Sequence, residues 1–309
     1  MNRLAGAFPW TRREIWTRKL LYPGHTFPTA AAPVAVAVGL AIRDGVFAPM
    51  PALVAFLAGW LIQFAGVVTD NYENLVRQPQ DREHPELVEA VRAGMLSHSD
   101  LKATIVVCYG LALLAGLYLV RVGGLPVAVI GLASILASWA YSAGPYSIGR
   151  LGLADPLFFT FFGVVSVVGT YYVQAAAAGA PAFPFAAFAA SLPVGALITN
   201  ILIIDDIRDR EFDRVKGKNT VAVRFGVNWS RAEFLALFAF AYLAPFWLWA
   251  GLDLGAWALS PLATMPFGIA LTRAVCTRDG FAELVPFTPR AAVLALSYCA
   301  LLGGGLAIS

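Results

Sequence analysis

Charge is scarce in this sequence: Asp, Glu, Lys and Arg make up 13% of its 309 residues, about half the share found in an ordinary soluble domain. With 59% hydrophobic residues and a mean hydropathy of +0.70, the chain cannot cover itself with water-compatible side chains, so most of its surface is expected to face lipid. Cysteine is nearly absent as well. Cys108, Cys276 and Cys299 lie in or beside apolar runs with no CxxC spacing, which argues against disulfides and zinc and for simple packing. His25, His84 and His98 share no metal-ligand spacing. No charged residue falls deep in an apolar run, as a transporter of this size would be expected to show. Period-two alternation of apolar and polar residues is also missing, which excludes a membrane β-barrel.

What the sequence does have is long charge-free runs, at 20–42, 45–69, 103–120, 122–149, 156–204, 234–252, 254–272 and 291–309. About 20 helical residues cross a hydrocarbon core of roughly 30 Å. The run 156–204 is long enough for two crossings and is broken near Gly179 and Pro181, where a short turn is expected. The reading is an all-α polytopic membrane protein of about nine helices around a central cavity with a polar cap. With the N-terminus inside, 20 of the 22 Lys and Arg residues fall on the cytoplasmic side, and only Arg43 and Arg121 fall outside, so the positive-inside rule orients the chain. An inner-membrane location follows. No cleavable signal is expected, because residues 1–19 are polar and basic and the first apolar run leads into further spans. One domain is expected over 1–309, with 1–19 a cytoplasmic segment and 70–102 and 205–231 two long charged cytoplasmic loops.

Chemistry is expected in those two loops. In the second, five of the nine residues 205–213 are acidic. Asp206, Asp209 and Asp213 are spaced i, i+3, i+7 and Asp205 to Asp209 is i, i+4, so a continuing helix places all four on one face. Carboxylates crowded in this way repel one another unless a cation intervenes. Mg²⁺ suits the set, since it takes one or two carboxylates together with waters and substrate phosphates. Arg208, Arg210, Lys216, Lys218 and Arg224 are then available for phosphate oxygens. The first loop opens with Asp70, Asn71 and Asn74 at the end of the second span, and the oxygens of Asp70 and Asn74 form a candidate second metal-binding wall. Asn71, Tyr72, Asn74 and Arg77 are candidate substrate contacts, as are Tyr141 and Tyr146 through cation–π or ring contacts near the interface. No nucleic-acid partner is expected.

The segment DDIRDREFDRVKGKNTVAVRFG, residues 205–226, resembles the second Asp-rich motif of the UbiA superfamily of intramembrane prenyltransferases. HTFPTAAAPV at 25–34 and FFGVVSVVGTYYVQ at 161–174 are most similar to the 1,4-dihydroxy-2-naphthoate prenyltransferases of menaquinone synthesis. Two departures stand out. The family's first motif, Asn-Asp-x-x-Asp, reads Asp70-Asn71-Tyr72-Glu73-Asn74 here, and the two Asn before the family's Arg-Asp pair are Asp205 and Asp206. Negative charge has moved from one wall to the other. At the start of the first helix an expected basic residue is replaced, with His25 or Lys19 the nearest substitutes. Asp155 matches an acidic position of the naphthoate group.

The resemblance implies that Mg²⁺ held between the motifs binds an isoprenyl diphosphate, with Asp206, Asp209 and Asp213 catalytic, while the tail lies among the helices. It also implies a small aromatic acceptor that is prenylated and decarboxylated. A UbiA-type terpene cyclase, which needs no acceptor, is the alternative.

Overall fold

The computed structural model describes residues 10–20, 23–77, 84–144 and 147–309. Among them, nine helices are long and apolar enough to cross a membrane: α1 (His25–Arg43), α2 (Pro49–Arg77), α3 (His98–Gly123), α4 (Leu125–Ser142), α5 (Ala154–Ala177), α6 (Phe185–Lys216), α7 (Val227–Leu252), α8 (Ala256–Thr277) and α9 (Phe281–Ala307). The described residues contain no strand. The fold is therefore the all-α, multi-pass bundle that the apolar runs predict, including the break near Gly179 and Pro181, where α5 ends and α6 begins.

Several helices outrun their charge-free cores. α2 continues to Arg77 and α6 to Lys216, so both acidic motifs are helical and project from one end of the bundle. α7 begins at Val227, ahead of Arg231, because that side chain has acceptors at the end of α8. Its guanidinium donates to the carbonyls of Val275 and Arg278 and pairs with Asp279, a favourable place for a cation.

α6 is the axis. Of its apolar window 89% is buried inside the bundle, against 11% for α4 and 17% for α3. One core cluster joins it to α1, α5, α7 and α9 through Ile198, Ile201, Phe234, Tyr298 and Leu302. α1 and α9 touch backbone to backbone: a Cβ at Gly39 would lie 2.0 Å from the Gly303 carbonyl oxygen. Only glycine allows this approach, and in lipid such close packing replaces the hydrophobic drive as the source of helix association.

At the charged end, the N-terminal segment 12–20 and the short helix Pro85–Arg92 pack over a smaller cluster that includes Ile15, Leu20, Leu87 and Leu96. An ion pair between Lys19 and Glu86 joins the two. This cap sits beside the mouth of the site.

Candidate active site

A cavity of about 880 Å³ runs into the bundle from the charged end, lined by residues of α1 to α6 and by Phe281 and Val285 of α9. α7 and α8 contribute nothing to it. Deep inside, the walls are aliphatic and aromatic, including Leu117, Ile135, Phe161, Phe162 and Val165; at the mouth they turn polar, with His25, Asp70, Asn71, Tyr141, Asp205 and Arg208. One end takes charge and the other takes hydrocarbon.

The α2 wall is held by hydrogen bonds. Asn74 Nδ2 donates to Asp70 Oδ2 at 3.0 Å and Ser142 Oγ donates to Asp70 Oδ1 at 2.8 Å, so both carboxylate oxygens are fixed from two helices. Asn71, which borders the cavity, donates to the Val67 carbonyl at 3.0 Å. Tyr72 follows Asp70 by two residues, and residues two apart on a helix point in different directions. Its ring packs against His98 and lies under Lys102, outside the cavity lining, so the structure does not bring this candidate to the others.

On α6 the acidic face divides. Arg208 binds Asp205 through Nη1 at 2.5 Å and Asp209 through Nε at 2.7 Å, with a second contact from Nη2. The same guanidinium donates to Thr288 Oγ1 at 2.9 Å, and Thr288 donates to Asp205 at 2.5 Å. Asp205, Arg208 and Asp209 thus form a partly neutralised network tied to α9. Asp206 and Asp213 lean the other way. Both are buried and lie within electrostatic reach of Lys218 and of each other, and Lys218 Nζ is 3.6 Å from Asp213 Oδ1. Tyr141, from α4, stands within reach of Asp70, Asp206, Asp213 and Lys218 together, and so marks where the two walls meet.

The turn after α6 accounts for the ordered GKNT. Gly217 ends the helix with φ +72°, the Lys218 amide returns to the Asp213 carbonyl, Asn219 binds the Arg150 carbonyl, and Thr220 Oγ1 accepts from the Val223 amide. Lys216 is buried and lines neither the cavity nor the crevice beside it. Arg77 pairs with Glu73 at 2.7 Å and lines that crevice with Lys218. Tyr146 falls outside the described residues.

Among the described residues, no three His, Cys, Asp or Glu side chains are close enough to cage a metal ion. Mg²⁺ does not need such a cage, because one or two carboxylates and the substrate's phosphates complete its octahedron. The residues fit that demand. Asp155 is buried within electrostatic reach of Asp206, and its Oδ1 has no hydrogen-bond partner among the described residues; an orphaned carboxylate oxygen near another acid is a place for positive charge. Sequence reasoning singled out Asp155 but did not pair it with Asp206, and it missed Thr288, Ser142 and Arg150, which carry no motif and reach the site only through folding.

A family model described as UbiA prenyltransferase family matches residues 30–283. A 1,4-dihydroxy-2-naphthoate octaprenyltransferase of Escherichia coli is 31% identical over 255 residues, covering 77% of this chain and 80% of its own length. One of the same name from Mycobacterium tuberculosis is 26% identical over 284 residues, covering 92% and 94%. Among solved structures, a UbiA homologue from Aeropyrum pernix superposes with a TM-score of 0.65 at 18% identity, covering 91% of this chain and 97% of that one. A homologue from Archaeoglobus fulgidus bound to DMAPP and Mg²⁺ gives 0.59 at 16% identity, covering 92% and 98%. With nine spans among its described residues, two polar walls and a family match over most of its length, the chain belongs to the UbiA prenyltransferase family and is a membrane prenyltransferase.

Proposed function

We propose that this enzyme transfers a prenyl group from an isoprenyl diphosphate to a 1,4-dihydroxy-2-naphthoate-type acceptor, with Mg²⁺, at the cytoplasmic face of the inner membrane. The observation that carries the reading is the meeting of two polar walls, on α2 and α6, at the mouth of a cavity of about 880 Å³ whose interior is apolar. An amphiphile with an anionic head and a hydrocarbon tail matches both ends. Burial of the tail contributes roughly 0.8 kcal/mol per CH₂. The names of the relatives support the acceptor, the ligands of the Archaeoglobus homologue support the donor and the metal, and the positive-inside pattern supports the orientation.

Asp206 and Asp213 on one wall, with Asp70 and Asn74 on the other, would hold Mg²⁺. The ion would supply neutralising charge for the departing diphosphate. Arg77 and Lys218 bind further phosphate oxygens. In the reaction, the allylic C–O bond breaks and diphosphate leaves with the electron pair. A ring carbon of the acceptor forms the new C–C bond, and the carboxyl group leaves that carbon as CO₂, returning its bonding pair to the ring. The apolar walls exclude water from the allylic carbon, and Tyr141 stands between the head-group region and the cavity, where its ring face can stabilise positive charge.

Purified protein incubated with Mg²⁺, farnesyl or geranylgeranyl diphosphate and 1,4-dihydroxy-2-naphthoate tests this. The expected product is the prenylated, decarboxylated naphthol, formed only when the acceptor is present. Hydrocarbon released without acceptor would overturn the assignment in favour of cyclisation.

A further inference from the structure

Glycine plays two different parts in this bundle. A Cβ at Gly39 would lie 2.0 Å from the Gly303 carbonyl oxygen, and one at Gly163 would lie 2.5 Å from the Gly195 Cα, so these glycines let helices touch. Gly59 on α2, Gly116 on α3 and Gly131 on α4 differ. A Cβ at any of them would meet no described atom within 4 Å, yet all three border the large cavity. Gly169 on α5 borders it too, and a Cβ there would make only ordinary contact with the Ile130 side chain, at 3.7 Å.

The four stand at one depth. Ser142 on α4 bonds Asp70 on α2 at 2.8 Å, and a Cβ at Gly66 would lie 2.6 Å from Ser138 Oγ, so the two helices run side by side in a fixed register. The same offset carried two turns deeper sets Gly131 level with Gly59. On α3, Tyr109 hydrogen-bonds Ser138 at 3.0 Å; two turns further from the mouth along both chains, Gly116 comes level with Gly131 to within about one turn. The contact with Ile130 brings Gly169 to that level as well.

Bulky side chains flank this level on both sides. Toward the mouth the same walls carry Ile135 and Phe162, and toward the far end Leu119 and Val127. Protein interiors are close-packed, and a gap lined by apolar atoms forfeits contacts on every face, so four helices that withhold a side chain at one depth leave room for a ligand. Gly59 follows Asp70 inward by about 16 Å of helix. An extended chain advances about 3.6 Å per three bonds, so an isoprene repeat of four bonds takes about 5 Å, and the collar stands beside about the third unit of a donor whose head lies at Asp70.

We propose that Gly59, Gly116, Gly131 and Gly169 form a collar that sets the length of donor the enzyme accepts: left open it passes chains of three units and more, and filled it confines the enzyme to shorter ones. That the ligand is an isoprenyl diphosphate rests on the function proposed above; the width of the collar does not.

The test is the rate of pyrophosphate release from geranyl, farnesyl and geranylgeranyl diphosphate, measured with Mg²⁺ and 1,4-dihydroxy-2-naphthoate, with the products identified. Gly131→Leu is expected to keep kcat/KM for the geranyl donor within about threefold of wild type and to lower it at least about thirtyfold for the geranylgeranyl donor, with farnesyl between them. Gly59→Leu fills the collar from another helix and is expected to give the same order. Leucine is the better helix former, so neither change should disturb its own helix. Gly110→Leu on α3, where a Cβ also meets no described atom but the cavity is not bordered, is expected to leave all three donors unchanged. Equal losses for the three donors, or no loss for any, in whichever collar variant folds would overturn the proposal. Failure of both to fold would overturn it too, because the glycines would then be packing against protein. If the wild type releases pyrophosphate without prenylating the naphthoate, and the length threshold still moves, the acceptor reading falls and the collar stands.

Discussion

The α2 and α6 walls meet around Tyr141, but they manage polarity by opposite means. α2 brings one carboxylate to the cavity mouth, Asp70, locked by neutral donors from Asn74 and Ser142, while its Glu73 is paired with Arg77. α6 offers four aspartates with countercharge close at hand, from its own Arg208 for Asp205 and Asp209 and from Lys218, in the turn that follows, for Asp213. An acid-rich wall that carries internal cations can fold without a metal and still present Asp206 and Asp213 to one. The α2 wall instead holds Asp70 rigid through neutral hydrogen bonds. Negative charge has been concentrated where cations are available to balance it.

Substitutions on each wall test that asymmetry. The largest effect is expected from Asp213→Asn or Asp206→Asn, a loss of about 10³-fold in kcat/KM with the fold intact; near-normal turnover in either would end the metal assignment. Asp70→Asn is expected to cost about 10²-fold, less because the α2 wall supplies a smaller share of the charge. Equal losses on the two walls would break the comparison. Thr288→Val removes the hydroxyl that bridges Arg208 and Asp205 while keeping the shape, and a loss of about tenfold is expected, as for other residues that orient a ligand from behind. Thr288→Ser should restore activity, and failure to do so would make the role one of packing. The smallest effect sharpens the contrast: Asn74→Asp adds a carboxylate beside Asp70 and is expected to lower the Mg²⁺ concentration for half-maximal rate by about threefold. A rise in that concentration would mean that the amide's grip on Asp70 matters more than added charge.

The nine spans and the helical motifs were legible because they depend on local facts: uninterrupted apolar length, and carboxylates spaced three and four apart. α2 and α6 needed only to continue, and they did. What could not be read is where side chains go when several partners compete. Arg208 was expected to serve phosphate, but two aspartates on its own helix and Thr288 on a distant one claim it. Tyr72 sits in the first motif, yet a shift of two residues turns it to Lys102 and His98. Asn219 lies in the second motif, and its partner is Arg150, 69 residues away in the chain. Such pairings arise from the bundle as a whole and leave no periodic mark in the sequence.

The contact of Gly39 with Gly303 also bears on how the enzyme is made. α1 to α6 emerge from the ribosome well before α9, yet α9 is the helix that clasps α1, and it carries Thr288 to the α6 network. The reaction chamber is therefore walled early and latched late, and activity is expected only after α9 docks on α1. Leucine at position 303 would force the latch open, an outcome readable as lost heat tolerance in detergent before any loss in the amount inserted.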